Sequence, residues 1–115
     1  KDHGLKNLIE GRLSEHSSVL VIEDLISTGG SSLDAVEALE QESHKVLGVL
    51  SIFQYGFASA KKRFQEKNMK YSSLTDFETL LARALSTNHI SNEDYNRLQS
   101  WNIDPKLWSE TFVKP

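Results

Sequence analysis

The chain contains no cysteine, which excludes disulfides and thiolate-held metals from any account of its chemistry. That absence accords with a cytoplasmic setting, which is the expectation here. No apolar run approaches the roughly 18 residues of a membrane-spanning helix, and no signal-peptide pattern opens the chain. The net charge is only −3, which argues against nucleic acid as the main partner. There is no internal repeat and no low-complexity tract. His16, His44 and His89 fall in turns without ligand spacing and are read as surface histidines, so no protein-only metal site is expected. Two familiar phosphate loops are missing as well. No Lys follows the glycines as in GxxxxGK[ST], and GxGxxG spacing does not occur.

What is present centres on Ser18–Ser32, SVLVIEDLISTGGSS. Val19–Ile22 is an unbroken aliphatic run, as expected of a parallel strand covered on both faces. Glu23 and Asp24 follow at its expected carboxyl end, where α/β sheets place their ligands. Next comes Ser27-Thr28-Gly29-Gly30-Ser31-Ser32, a bend with little side-chain bulk, which leads into an amphipathic pattern beginning at Leu33. Gly29 and Gly30 let an anion approach the backbone closely. The unpartnered N–H groups and positive pole of the following helix suit phosphate. The hydroxyls of Thr28, Ser31 and Ser32 add donors.

The remaining elements read in order. A helix is expected over residues 31–42, with Leu33, Val36 and Leu39 inward and a Ser31/Asp34 capping pair. Val46–Phe53 is a second buried strand, completing a right-handed βαβ unit. A helix over residues 57–67 puts Phe57, Ala60 and Phe64 on one stripe and leaves Lys61, Lys62 and Arg63 as a solvated face. A short strand over residues 69–74 follows. A helix capped by Thr75 or Asp76 then buries Phe77, Leu80, Leu81, Ala84 and Leu85. Another, capped by Ser91, spans residues 92–101 and carries Tyr95 and Leu98. Asp104-Pro105 starts a last helix held down by Leu107, Trp108 and Phe112. The expected layout is an α/β core over residues 1–74 and a helical segment over 75–115. So few strands cannot bury both faces of their sheet well. The chain is therefore expected to depend on self-association or on a further segment.

The stretch EDLISTGGSS resembles the phosphoribosyl-pyrophosphate (PRPP) motif of the type I phosphoribosyltransferases. With Lys1-Asp2-His3-Gly4 upstream, Ile9-Glu10-Gly11 before the strand, and Tyr71–Asp76 downstream, the fuller pattern is similar to the orotate-using members. That resemblance implies a partial type I phosphoribosyltransferase fold, a parallel sheet flanked by helices with a helical tail. Since Met69 is the one methionine and Lys1 falls inside what resembles a catalytic loop, the chain is expected to be the carboxyl-terminal portion of a longer enzyme. It is expected to have little activity alone.

By the same resemblance, Lys1, His3 and Asp24 are the catalytic candidates. Lys1 and His3 belong to a loop that closes over PRPP of the neighbouring subunit in a homodimer. PRPP is expected at Lys1, His3, Glu23, Asp24, Leu25, Ile26, Ser27, Thr28, Gly29, Gly30 and Ser31, and orotate at Ser27. Mg2+ would arrive with PRPP, with no direct protein ligand. One departure stands out. Where some orotate enzymes carry an Arg for the orotate carboxylate, this sequence reads Gln54-Tyr55-Gly56-Phe57. The rival readings are a purine-type phosphoribosyltransferase, a PRPP synthetase relative and a non-catalytic PRPP-binding regulator. The Lys1-x-His3-Gly4 segment argues against the first two, and the mild acidity against a regulator with a nucleic-acid surface.

Overall fold

Aliphatic runs joined by short turns and amphipathic stretches produce three parallel strands with helical crossovers. The computed structural model describes residues 12–113. Strand β1 (Ser18–Ile26), helix α1 (Gly30–Gln41) and strand β2 (Lys45–Gln54) form the βαβ unit. Helix α2 (Ala58–Lys67) crosses to strand β3 (Tyr71–Asp76). Helices α3 (Phe77–Ser86), α4 (Asn92–Ile103) and α5 (Pro105–Val113) complete the described chain. The strand order is β1-β2-β3, and both pairings are parallel. Of the lead-in expected over residues 5–13, a short strand or an irregular stretch, residues 5–11 lie outside the described residues, as does the Lys1–Gly4 loop, and residues 12–13 are irregular.

Helices α1 and α2 cover one face of the sheet. Val21, Val46 and Val49 on the strands meet Val36 and Leu39 of α1 and Ala60 and Phe64 of α2. Ile26 joins this cluster at 1% exposure. The ring of Phe64 stacks on Tyr71, with centroids 4.1 Å apart. Successive side chains on a strand point to opposite faces. The alternate residues Leu20, Ile22, Leu47, Ile52 and Leu74 therefore line the other face, and all are exposed. Leu47 belongs there because the β1–β2 register shifts between Val19 and Leu20. This corrects the expectation that the Val19–Ile22 run is covered on both sides. Only alternate members of the run reach a helix.

A second, aromatic cluster joins the last helices to the sheet. Tyr55 and Phe57 stack with centroids 5.1 Å apart, and Trp101 of α4 meets both, edge to face. Phe77 of α3 closes the group against Tyr55 and Trp101. Asn102 Nδ2 donates to the Tyr55 carbonyl at 2.8 Å. The sequence signals for helix starts hold at two places. Asp76 accepts from Thr79 N at 2.8 Å, and Ser91 with Asp94 forms a capping box. The Thr79 hydrogen bond holds the Asp76 carboxyl below its ordinary pKa.

Three side-chain expectations need correction. Leu80 and Leu107 are exposed rather than inward. Each lies on the outer side of a helix whose packing partners sit on one flank only. His44 is half-buried rather than superficial, and its Nδ1 accepts from Ser17 N at 3.2 Å. Phe112 lies within α5, but its side chain is outside the described part.

Candidate active site

The acids lie within β1, not after it. Pairing continues through Glu23 opposite Ser51 to Ile26 opposite Gln54. This corrects the strand end expected at Ile22: two carboxylates at a strand end can stay in the ladder because one of them finds a partner. Alternation sends the two side chains to opposite faces. Glu23 turns toward α1 and is half-buried, and its Oε2 accepts from Ser32 Oγ at 2.9 Å. Ser32 is itself 2% exposed, so this hydrogen bond ties the strand to the first turn of α1. Asp24 is exposed.

The bend beyond the strand is residues 27–29. Gly29 takes φ 85°, in the left-handed region, and acts as the N-cap of α1. A side chain there would be doubly penalised, because a Cβ would also lie 2.9 Å from Phe64 Cε2. The helix starts at Gly30 and has no side-chain cap. This replaces the expected Ser31/Asp34 pair, since Gly29 opens the helix before Ser31 can cap it. The first-turn amides therefore present donors and the positive helix pole without a carboxylate or hydroxyl plugging them.

Residues 25–32 line a small concavity of about 80 Å3. Ser27, Thr28 and Ser31 are exposed around it. Leu25 is largely exposed, whereas Ile26 sends its side chain into the core, so only the backbone of Ile26 can face a ligand. Lys1 and His3 lie outside the described residues. Gln54, in the place of the missing Arg, uses its amide Nε2 to donate to Ser73 Oγ at 2.7 Å.

One neighbour of this bend escaped the sequence reading. Arg63 on α2 places Nη1 3.0 Å from the point where a Cβ on Gly30 would sit. A run of three cations signals only a wet helix face. The available clue was the spacing of Ala60 and Phe64, which turns Arg63 to the flank of the buried stripe. Among the described residues no three His, Asp or Glu groups converge as a metal cage. The single open carboxylate of Asp24 fits a cation that brings phosphate and water ligands of its own. No helix among the described residues is long and apolar enough to cross a membrane.

A parallel sheet with crossover helices on one face is a fold that known proteins share. The Leishmania donovani UMP synthase structure superposes on 81% of this chain and 21% of its own, with a TM-score of 0.71 at 20% identity. A Mycobacterium tuberculosis orotate phosphoribosyltransferase structure covers 68% of this chain and 44% of its own, with a TM-score of 0.54 at 34% identity. No family model matches. The chain belongs to the type I phosphoribosyltransferases. Within them it is similar to proteins named orotate phosphoribosyltransferase, that of Listeria innocua being 47% identical over 110 residues. That match takes in 96% of this chain and 53% of the relative. The chain thus spans about half the length of the curated relatives it matches.

Proposed function

We propose that the chain forms the PRPP-holding part of an enzyme that transfers phosphoribose from PRPP to orotate. The products are orotidine 5′-phosphate and pyrophosphate, in pyrimidine nucleotide synthesis. The observation that carries this reading is the uncapped first turn of α1 behind Gly29, beside the open carboxylate of Asp24. The amides of that turn receive the 5′-phosphate. Asp24 accepts from the ribose hydroxyls, and Ser27 faces orotate. Glu23 acts on the loop through Ser32, which fixes where those amides point.

As the bond from C1 to the pyrophosphate oxygen breaks, positive charge grows on the ribose and negative charge on the leaving group. Asp24 is placed to offset the first. Lys1 and His3, from the neighbouring subunit of a homodimer, serve the second and exclude water. Mg2+ would be held through PRPP and water near Asp24, and it would supply charge neutralisation to the pyrophosphate. The reading carries a cytoplasmic setting with it. The chain by itself is expected to turn over little orotate, because half of the family's length lies outside it.

Titration calorimetry of PRPP with Mg2+ on the intact protein tests the assignment. Asp24→Asn is expected to weaken binding by about tenfold or more, since it removes a charged acceptor. Wild-type affinity in Asp24→Asn would overturn it. Orotate should be the accepted base, with adenine and hypoxanthine inert. Turnover of a purine base instead would move the protein to another branch of the family.

A further inference from the structure

Helix α2 packs against both the phosphate bend and the far end of α1. Phe64, 1% exposed, lies under Gly29, and Ala60 packs beside it. Lys67 Nζ reaches Glu40 Oε1 of α1 at 3.0 Å. Ala60, Arg63 and Phe64 follow the spacing that puts residues on one side of a helix. With Ala60 and Phe64 seated on the bend, Arg63 has to come out at its rim. Its guanidinium does so over Gly30. A single point there, the Cβ position of Gly30, is 3.0 Å from Arg63 Nη1 and 3.8 Å from Thr28 Oγ1. Arg63 makes no ion pair among the described residues, whereas Lys67 pairs with Glu40 and Arg97 with Glu93. A cation with five donors thus stands beside a loop hydroxyl and the open amides of the first turn.

We infer that Arg63 is a binding residue for the 5′-phosphate of PRPP, gripping the anion from the α2 side while the loop amides hold it from below. The inference rests on the PRPP reading of the loop. A planar guanidinium matches two phosphate oxygens at once. The lack of bulk at Gly30 has a use here, because a side chain at that position would occupy the space between guanidinium and loop. The role is specific to the ribose-phosphate end of the substrate. In PRPP the ribose ring separates the pyrophosphate from the 5′-phosphate.

Calorimetry on the intact protein, with ribose 5-phosphate, PRPP with Mg2+ and pyrophosphate as separate probes, tests this. Arg63→Ala is expected to weaken ribose 5-phosphate and PRPP by about tenfold each and to leave pyrophosphate within about twofold. Arg63→Lys should recover part of the loss as a point charge. Lys62→Ala, one residue away on the solvated face, should bind as wild type does. Arg63 is exposed, so the thermal midpoint of Arg63→Ala should match that of wild type. Unchanged ribose 5-phosphate affinity in Arg63→Ala would overturn the inference while leaving the loop assignment standing. An equal loss for pyrophosphate would also overturn it, showing a general charge effect. A wild-type protein that binds neither sugar phosphate would remove the loop assignment itself, and this inference with it.

Discussion

The two faces of the sheet are built from the same kinds of residue and meet opposite fates. On one, Val21, Val49 and Tyr71 are roofed by α1 and α2. On the other, Ile22 is 64% and Leu74 is 75% exposed. Leu20, Leu47 and Leu50 border an open, largely apolar hollow of about 640 Å3, which Val49, Met69 and Tyr71 also line. A contiguous apolar surface of this kind is unusual on a self-sufficient domain and marks a place for protein contact. The roofed face also carries the loop, since Phe64, Ala60 and Ser32 all act on the Gly29 bend. The difference teaches that the Gly29 bend is positioned from the covered side, while the exposed Asp24 projects from the bare one.

Phe64→Ala is the most direct way to break the roofed face. It removes a fully buried ring that touches both the core and Gly29, and is expected to cost about 3–5 kcal/mol. Chemical denaturation of the intact protein would show it. Gly29→Ala tests the same face more finely, because φ 85° and the close approach to Phe64 both oppose a methyl group. A loss of about 1–3 kcal/mol is expected. Gly30→Ala, by contrast, crowds the movable tip of Arg63 and touches Thr28 Oγ1 at an ordinary contact distance, and should unfold at nearly the wild-type midpoint. Ile22→Ser and Leu74→Ser on the bare face should change the stability of the chain by itself by less than about 0.5 kcal/mol and reduce its self-association in sedimentation. In the intact protein the same pair should cost more. Equal costs in both settings would show that nothing covers this face.

The sequence showed the order of elements well, because βαβ spacing and the caps at Asp76 and Ser91 are local signals. It was less legible where a long-range partner decides. Glu23 stays in the strand because Ser32, nine residues later, donates its hydroxyl to the carboxylate. Gly29 displaces Ser31 as the start of α1 because Phe64, thirty-five positions on, closes the space beside it. Arg63 reads as one of three wet cations until the crossing of α2 over the bend is known. The unroofed face was foreseeable from the small number of strands, but the unbroken aliphatic run at Val19–Ile22 pointed the other way. The catalytic roles proposed for Lys1 and His3 rest on resemblance alone, and both lie outside the described residues.

Strand order β1-β2-β3 follows chain order, with every neighbour parallel. On the ribosome, β2 and β3 can therefore each dock on the strand made just before, and neither has to insert between two of the described strands that are already paired. At about 5–20 residues per second, the interval from the end of β2 to the end of β3 lasts roughly one to four seconds. Helices and tight local units form in microseconds. The β1-α1-β2 unit, glycine bend included, can settle before β3 exists.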